Sequence, residues 1–125
     1  MKRIITLLCI ICIVAQVYAW KPLFAGHRGS YRGVENTEEA FMNGINHYGY
    51  TGLEIDVKTT SDGEYVCWHD DDLSRVGHEG VSIPNSKWAD IKDLTLTQTR
   101  SGNTYTGKLC SVDRYLEICK ENNVF

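Results

Sequence analysis

Three short segments of this chain carry side chains whose types and spacing suit them to cleaving a phosphodiester. The segments hold two imidazoles, one guanidinium and two alternating carboxylates, mostly at the ends of apolar runs: Ala25-Gly26-His27-Arg28-Gly29, Gly52-Leu53-Glu54-Ile55-Asp56-Val57 and Val66-Cys67-Trp68-His69-Asp70. Such groups can bind a divalent cation, hold a phosphate and transfer protons. No single segment would indicate this chemistry, but the three together do.

The carboxylates of Glu54 and Asp56 form the candidate metal site. They stand two residues apart in a segment with strand periodicity, so both side chains are expected on one face of the strand. Two inward-facing carboxylates repel each other unless a cation lies between them. Ligation by oxygen alone favours Mg²⁺ or Ca²⁺ over zinc. The alternative is an ion-paired polar core without a metal.

His27 and His69 are the candidate pair for proton transfer. A histidine near its ordinary pKa can accept a proton from an attacking hydroxyl and return one to a departing alkoxide. Each of the two follows an apolar run, which places it on the same side as the carboxylates. His47 and His78 have no such setting, so the sequence predicts structural roles for them.

Arg28 is the candidate phosphate ligand. Its guanidinium can bind two phosphate oxygens at once, and the flanking Gly26 and Gly29 allow a close backbone approach. The alternative is a surface ion pair. Glu35 could reach the same site, or together with Asn36 it could only shape a turn; the sequence favours the turn.

The elements that must position these residues alternate between strands and helices. An apolar run ending at His27 predicts a first strand, and residues 53–57 predict a second. Between them, Asn36 and Glu39 resemble a capping box, followed by an apolar stripe at helical spacing that ends at Gly49: Ala40, Phe41, Gly44, Ile45 and Tyr48. A strand, a helix and a strand predict two parallel neighbours.

The rest of the chain is predicted to extend this unit. Ser61-Asp62-Gly63 is too short a link for parallel strands, so it predicts an antiparallel hairpin, or an extension of the second strand, that brings His69 above the site. Residues 70–107 are polar and predict a long excursion with one short helix, in which Trp88, Ile91 and Leu94 recur at spacing three. Ser111 is expected to cap a final helix that buries five apolar residues: Val112, Tyr115, Leu116, Ile118 and Cys119.

The first 19 residues have the pattern of a secretory signal peptide. Lys2-Arg3 precedes an apolar run from Ile4 to Val14, and Val17-Tyr18-Ala19 offers small residues for cleavage. The run is shorter than the ~20 residues that span a bilayer, so the processed protein is expected outside the cytoplasm without a stable membrane span.

Composition narrows the partners of the processed chain. Cleavage would leave residues 20–125 with 13 − 2 = 11 basic and 16 acidic residues, a net charge of −5 that disfavours nucleic acid. Three of the 5 cysteines would remain, and at least one of these could not pair within the chain: Cys67, Cys110 and Cys119.

The motifs resemble those of the glycerophosphodiester phosphodiesterase family. The matching residues are His27-Arg28-Gly29, Glu35-Asn36-Thr37 with Ala40-Phe41, Glu54-Ile55-Asp56-Val57, Thr60-x-Asp62-Gly63 and His69-Asp70 followed by Leu73-x-Arg75. Val34 replaces the family's usual proline, and Val76-Gly77 replaces its usual threonines.

The resemblance implies a fold, a substrate and a metal. The fold would be an α/β, (β/α)8 TIM-type barrel, which takes roughly 250 residues, so residues 20–125 are expected to be its truncated N-terminal part. The activity would be metal-dependent hydrolysis of a small glycerophosphodiester to glycerol phosphate and an alcohol. His27 and His69 would be catalytic, Arg28 would bind substrate, and Glu54 and Asp56 would bind Mg²⁺ or Ca²⁺. The family's further glutamate ligand would follow on the next strand.

Two other functions remain open at this stage. One is a related phospholipase D-like lipid phosphodiesterase on the same barrel, which would need an apolar patch or lipid-binding loop near the site. The other is a non-catalytic secreted fragment, because part of a barrel exposes two sheet edges and half-covered apolar faces.

Overall fold

The structure, a computed structural model, describes residues 23–125. The predicted signal peptide lies outside the described residues. The chain begins with β1 (Ala25–His27), continues through α1 (Glu38–Tyr48) and returns in β2 (Gly52–Glu54). β1 and β2 pair in parallel, with His27 opposite Glu54. This strand–helix–strand unit confirms the predicted parallel pair and brings one candidate histidine beside one candidate carboxylate.

The helix α1 forms where the sequence predicts it, although its N-cap differs. Thr37, not Asn36, is the N-cap, and its hydroxyl accepts a hydrogen bond from the Ala40 N–H at 3.4 Å. Gly49 ends the helix in the left-handed conformation, as predicted. Ala40, Phe41 and Gly44 of the predicted stripe are buried. Tyr48 is an exception: it is 40% exposed and stacks on Tyr50 at 5.5 Å.

The predicted second strand is two separate strands. β2 ends at Glu54, and β3 (Val57–Thr59) pairs instead with β4 (Tyr65–Cys67) as an antiparallel hairpin with Val57 opposite Cys67. The chain leaves the first sheet at Asp56, whose carbonyl accepts a hydrogen bond from the Trp68 N–H at 3.0 Å. Val57, which the sequence placed in the second strand, therefore lies in the hairpin and is half exposed.

A polar excursion of short elements follows β4. It contains two small antiparallel sheets, β5 (Asp72–Leu73) with β6 (His78–Ser82), and β7 (Leu96–Arg100) with β8 (Asn103–Gly107). Two 3₁₀ turns (Ser74–Val76 and Ile83–Asn85) and the short helix α2 (Trp88–Ile91) connect them. The excursion is thus more ordered than its polar sequence indicates.

The chain then returns to the hairpin. β9 (Cys110–Ser111) adds to β4, and Ser111 caps α3 (Val112–Asn122) by accepting from the Arg114 N–H at 3.2 Å, which confirms the predicted cap. Tyr115, Ile118 and Cys119 are buried as predicted, whereas Leu116 is exposed.

Two apolar clusters hold these elements together. One lies under the excursion and contains Val34, Val66, Trp68, Leu73, Val76, Ile83, Ile91, Leu96 and Leu109. The other joins α1, α3 and the strands and contains Phe41, Leu53, Cys67, Cys110, Tyr115, Ile118 and Cys119. Val66 and Cys67 alternate along β4 and point into different clusters. Within residues 23–125, no helix has the length and hydropathy needed to cross a bilayer.

Candidate active site

Arg28 brings the two candidate metal ligands together. Its backbone N–H donates to Glu54 Oε2 at 3.0 Å, and its Nε lies 2.9 Å from Asp56 Oδ2 as an ion pair. The buried Nε–H nevertheless makes no hydrogen bond within the described residues. Both carboxylates therefore converge on one residue, although a strand break separates them.

The turn after β1 gives Arg28 this position. Arg28 adopts φ 56° and Gly29 φ 90°, so the chain reverses within two residues of the strand. The Arg28 carbonyl accepts a hydrogen bond from the Asn36 N–H at 2.9 Å, which closes the loop over the start of α1. A Cβ at Gly29 would lie 2.9 Å from the Ala40 Cβ, so only glycine fits this close approach.

Asn36 fixes the second carboxylate. Its Nδ2 donates to Asp56 Oδ2 at 3.1 Å, while its Oδ1 accepts from the Asp56 N–H at 3.2 Å. Asn36 is fully buried and adopts φ 58°. This two-point contact holds both the backbone and the side chain of Asp56 where the chain changes sheets.

Glu35 reaches the site, so the prediction that it only shapes a turn is wrong. Its Oε1 accepts from Arg28 at 3.1 Å and from Arg75 at 2.7 Å, and its Oε2 accepts from Arg100 at 2.9 Å. Only 5% of Glu35 is exposed. Burial alone would raise the pKa of this carboxyl, but Arg75 and Arg28 outweigh burial and hold the pKa below its ordinary value.

Sequence spacing could not have predicted this cluster. The partners of Glu35 lie 7, 40 and 65 residues away, on a loop, a 3₁₀ turn and a hairpin. The sequence signals were the Glu35-Asn36-Thr37 and Leu73-x-Arg75 motifs, and neither indicated which residues would pair.

His69 is connected to the same cluster through charged side chains. Its Nδ1 lies 2.6 Å from Asp70 Oδ1, and Asp70 Oδ2 accepts from Arg75 Nε at 2.5 Å. Hydrogen bonds from Arg75 and His69 lower the pKa of Asp70. Arg75 also lies over the ring of the buried Trp68 at 5.9 Å. A continuous chain of contacts thus runs from His69 to Arg28.

His27 lies at the other end of this chain of contacts. Its Nε2 is 3.9 Å from Glu54 Oε2, and 75% of its side chain is exposed. The structure therefore brings all five predicted site residues into one connected set: His27, Arg28, Glu54, Asp56 and His69.

The other two histidines lie apart from this set. The ring of His47 contacts Tyr48 at 4.7 Å, and His78 Nε2 lies 2.9 Å from the Thr95 carbonyl oxygen. Both contacts fit the predicted structural roles.

The two candidate carboxylates have the right chemistry for a divalent cation, but two side chains are too few to complete its coordination. Glu54 and Asp56 offer the oxygen ligands that Mg²⁺ and Ca²⁺ prefer, and both are partly exposed. Residues 23–125 contain no group of three His, Cys, Asp or Glu side chains arranged to hold a metal ion. The remaining coordination positions would have to come from water, substrate or further residues.

A cavity of about 500 Å³ lies elsewhere on the molecule. It lies between the starts of α1 and α3 and the Lys108–Ser111 segment, and none of the five predicted site residues lines it. Its basic side chains already pair with acids: Lys92 and Lys108 with Asp93, and Arg114 with Glu38. The candidate site is instead an open surface around partly exposed side chains.

The three cysteines of the described region are free thiols. Cys67, Cys110 and Cys119 are all buried in the second apolar cluster. They lie outside the set of site residues and fill core volume, as small apolar side chains do.

Comparison with known proteins identifies relatives of this chain. A glycerophosphodiester phosphodiesterase of Caldanaerobacter subterraneus subsp. tengcongensis is 35% identical over 82 residues, which cover 64% of this chain and 30% of that protein. A crystal structure of a glycerophosphodiester phosphodiesterase from Thermotoga maritima is 33% identical with a TM-score of 0.60, covering 82% of this chain and 40% of that one.

A further solved structure agrees in fold. The glycerophosphoryl diester phosphodiesterase of Parabacteroides distasonis is 27% identical with a TM-score of 0.69, covering 81% of this chain and 35% of that one. The chain thus spans between 30% and 40% of the length of these relatives. The model of the glycerophosphoryl diester phosphodiesterase family matches residues 26–124, and the chain therefore belongs to that family.

Proposed function

We propose that this chain takes part in the hydrolysis of a small glycerophosphodiester to glycerol phosphate and an alcohol. The observation that carries the proposal is the convergence of Glu54 and Asp56 on Arg28, with His27 beside Glu54. A cation site, a phosphate ligand and a proton carrier are thereby adjacent. Family membership supports the same reaction.

Arg28 is the proposed phosphate ligand. Its side chain is 20% exposed; Nη1 donates to Glu35, and the buried Nε faces Asp56. A guanidinium offers five donors in a fixed plane, so contacts with Glu35 and Asp56 leave donors for phosphate oxygens. In this role Arg28 would also offset the charge that develops on the equatorial oxygens.

Glu54 and Asp56 are the proposed cation ligands. A bound Mg²⁺ or Ca²⁺ would act as a Lewis acid on the phosphoryl group and help to orient it. Asn36 and Arg28 contact Asp56 through Oδ2, and Arg28 contacts Glu54 through Oε2. The residues of this chain therefore hold both carboxylates in place and leave one oxygen of each for the ion.

The two histidines are the proposed proton carriers. Asp70 is ionised at neutral pH and can only accept hydrogen bonds, so the neutral ring of His69 carries its proton on Nδ1. Nε2 of His69 is then left with the lone pair that accepts a proton from the attacking hydroxyl, which belongs to water or is the 2-hydroxyl of the glycerol. His27 would take the complementary role and return a proton to the leaving alcohol.

The strand–helix–strand unit supports the proposal that the chain forms the first part of a (β/α)8 barrel. β1 and β2 are parallel neighbours joined by a helix. Phe125 continues this pattern, because its N–H donates to the Thr51 carbonyl at 3.2 Å and its carbonyl accepts from the Leu53 N–H at 2.7 Å. This is the hydrogen-bond pattern of a parallel strand next to β2.

A hydrolysis assay with histidine variants tests the proposed function. Release of glycerol phosphate from glycerophosphocholine is measured for the wild type, His27→Ala and His69→Ala, with a divalent cation present. Each variant is expected to lose about 10²–10⁴-fold in kcat. His47→Ala is the matched control, because this exposed histidine of α1 is outside the site and should keep wild-type turnover. Wild-type turnover by both site variants would reject the proposal.

A further inference from the structure

We infer that Arg75 is a positioning residue for His69, acting through Asp70, and that the buried carboxylate of Glu35 fixes Arg75 and Arg28 in one network. The role given to His69 rests on the proposed function. The network itself rests only on contacts between described side chains.

Asp70 is the direct partner of His69. Its Oδ1 lies 2.6 Å from His69 Nδ1, and only 30% of its side chain is exposed, against 46% for the histidine. Which ring nitrogen carries the proton is set by the partner of the other nitrogen. Asp70 therefore determines both the direction of the ring and which nitrogen faces solvent.

Arg75 determines where Asp70 lies. Its Nε donates to Asp70 Oδ2, so the two oxygens of Asp70 are bound on opposite sides by Arg75 and His69. Arg75 itself rests on Trp68, whose ring is fully buried and whose Nε1–H donates to the Asp72 carbonyl at 2.9 Å. The guanidinium thus has a rigid support below it.

Glu35 holds the other end of Arg75. The same Oε1 accepts from Arg75 at 2.7 Å and from Arg28 at 3.1 Å. One buried oxygen therefore connects the arginine that positions the proton carrier with the arginine proposed to bind phosphate. Because a guanidinium is planar and rigid, displacement of Glu35 should shift both arginines.

The tautomer of His69 reports this positioning directly. The network predicts a neutral His69 ring with its proton on Nδ1. Without a fixed carboxylate at Nδ1, the ring is expected to exchange between both tautomers. Two-bond ¹H–¹⁵N NMR spectra of the ¹⁵N-labelled 125-residue chain distinguish these states, and His69→Gln assigns the signal among the 4 histidines.

Arg75→Gln and Asp70→Ala are the test variants. In both, the fraction of neutral His69 protonated on Nδ1 should fall from nearly complete to about half or less. Asp71→Ala is the matched control, because this neighbouring carboxylate contacts Lys58 at 2.6 Å and should leave His69 unchanged. A folded Arg75→Gln variant that keeps the wild-type tautomer would overturn the inference.

A second signal covers the case in which Arg75→Gln does not fold. In the wild type the Arg75 Nε–H should be protected from exchange with water by its bond to Asp70, and Asp70→Ala should remove this protection. An unprotected Arg75 Nε–H in the wild type would also overturn the inference.

Activity separates this inference from the proposed function. In an active protein, Arg75→Gln should lower kcat by about 10- to 100-fold, with little change in KM. Losses of this size follow when a metal-binding histidine loses the hydrogen-bond partner that orients its ring. An inactive wild type with the predicted tautomer would reject the proposed function alone. An active wild type whose tautomer is indifferent to Arg75 would reject the positioning role alone.

Discussion

Replacement of Glu35 by glutamine tests whether one buried carboxylate organises the site. Glu35→Gln keeps the size of the side chain and removes its charge. The carboxylate accepts hydrogen bonds from Arg28, Arg75 and Arg100, and its side chain is 6% exposed. An amide has one acceptor oxygen and two donors, so it cannot satisfy the same three guanidinium groups.

The expected loss of stability follows from the partners that remain. Removing one member of a buried ion pair costs about 3–5 kcal/mol because a buried charge is left without compensation. Arg28 keeps Asp56 and Arg75 keeps Asp70, while Arg100 keeps its contact with the ring of Tyr31 at 5.4 Å. Since two of the three arginines retain a carboxylate, we expect about 3 kcal/mol, the lower end of that range.

The pH dependence gives this prediction a second readout. The pKa of Glu35 is lower in the folded protein than its ordinary value of 4.5, so the unfolded chain binds more protons near and below that pH. The stabilisation that ionised Glu35 gives the folded protein is therefore fully present above pH 4.5. It is lost as the pH falls through the folded-state pKa. Urea unfolding at neutral and acidic pH should show the wild type and Glu35→Gln converging in acid.

Glu38→Gln is the control for this measurement. Glu38 pairs with Arg114 at 2.7 Å, but both side chains are more than a third exposed, so its loss should change stability far less. Equal effects of the two substitutions at neutral pH, or a Glu35→Gln effect that persists unchanged in acid, would refute the argument.

Two further predictions concern the second apolar cluster. Tyr115→Phe should lower the free energy of unfolding by about 1 kcal/mol, because the Tyr115 hydroxyl donates to the buried Leu53 carbonyl at 2.8 Å; chemical denaturation measures the loss, and an unchanged midpoint would contradict it. Cys67 should resist alkylation until denaturant is added, because its hydrogen bond with Cys110 and its burial raise the pKa of its thiol. Mass spectrometry measures the alkylation, and modification of Cys67 before denaturant is added would contradict this prediction.

The sequence predicted those parts of the fold that depend on local signals. The buried face of α1 at Ala40, Phe41 and Gly44, the Gly49 end and the Ser111 cap each follow from a few neighbouring residues, and the structure confirms them. The parallel β1–β2 pair follows from the length of the connection between the strands.

Local signals failed where distant partners decide the conformation. Alternation from Leu53 to Val57 predicted one strand, but Asn36 and Trp68 bind Asp56 and turn the chain into another sheet. Leu116 was predicted to be buried with its neighbours in α3, but its side chain is exposed to solvent.

The candidate site shows the same division. Residue types and motif spacing predicted five site residues, and the structure connects them through side-chain contacts: His27, Arg28, Glu54, Asp56 and His69. The network that holds them was not predictable, because Glu35, Arg75 and Arg100 come from three elements that only tertiary packing brings together.

The dependence of hydrolysis on a cation distinguishes a metal site at Glu54 and Asp56 from an ion-paired polar cluster. Release of glycerol phosphate from glycerophosphocholine is measured after exhaustive chelation and again after Mg²⁺ or Ca²⁺ is restored. The convergence of Glu54 and Asp56 at Arg28 predicts that chelation abolishes turnover, that the cation restores it, and that Glu54→Gln needs more cation than the wild type. Turnover that survives chelation, or a Glu54→Gln variant with the cation requirement of the wild type, would show that Glu54 and Asp56 do not bind a catalytic cation.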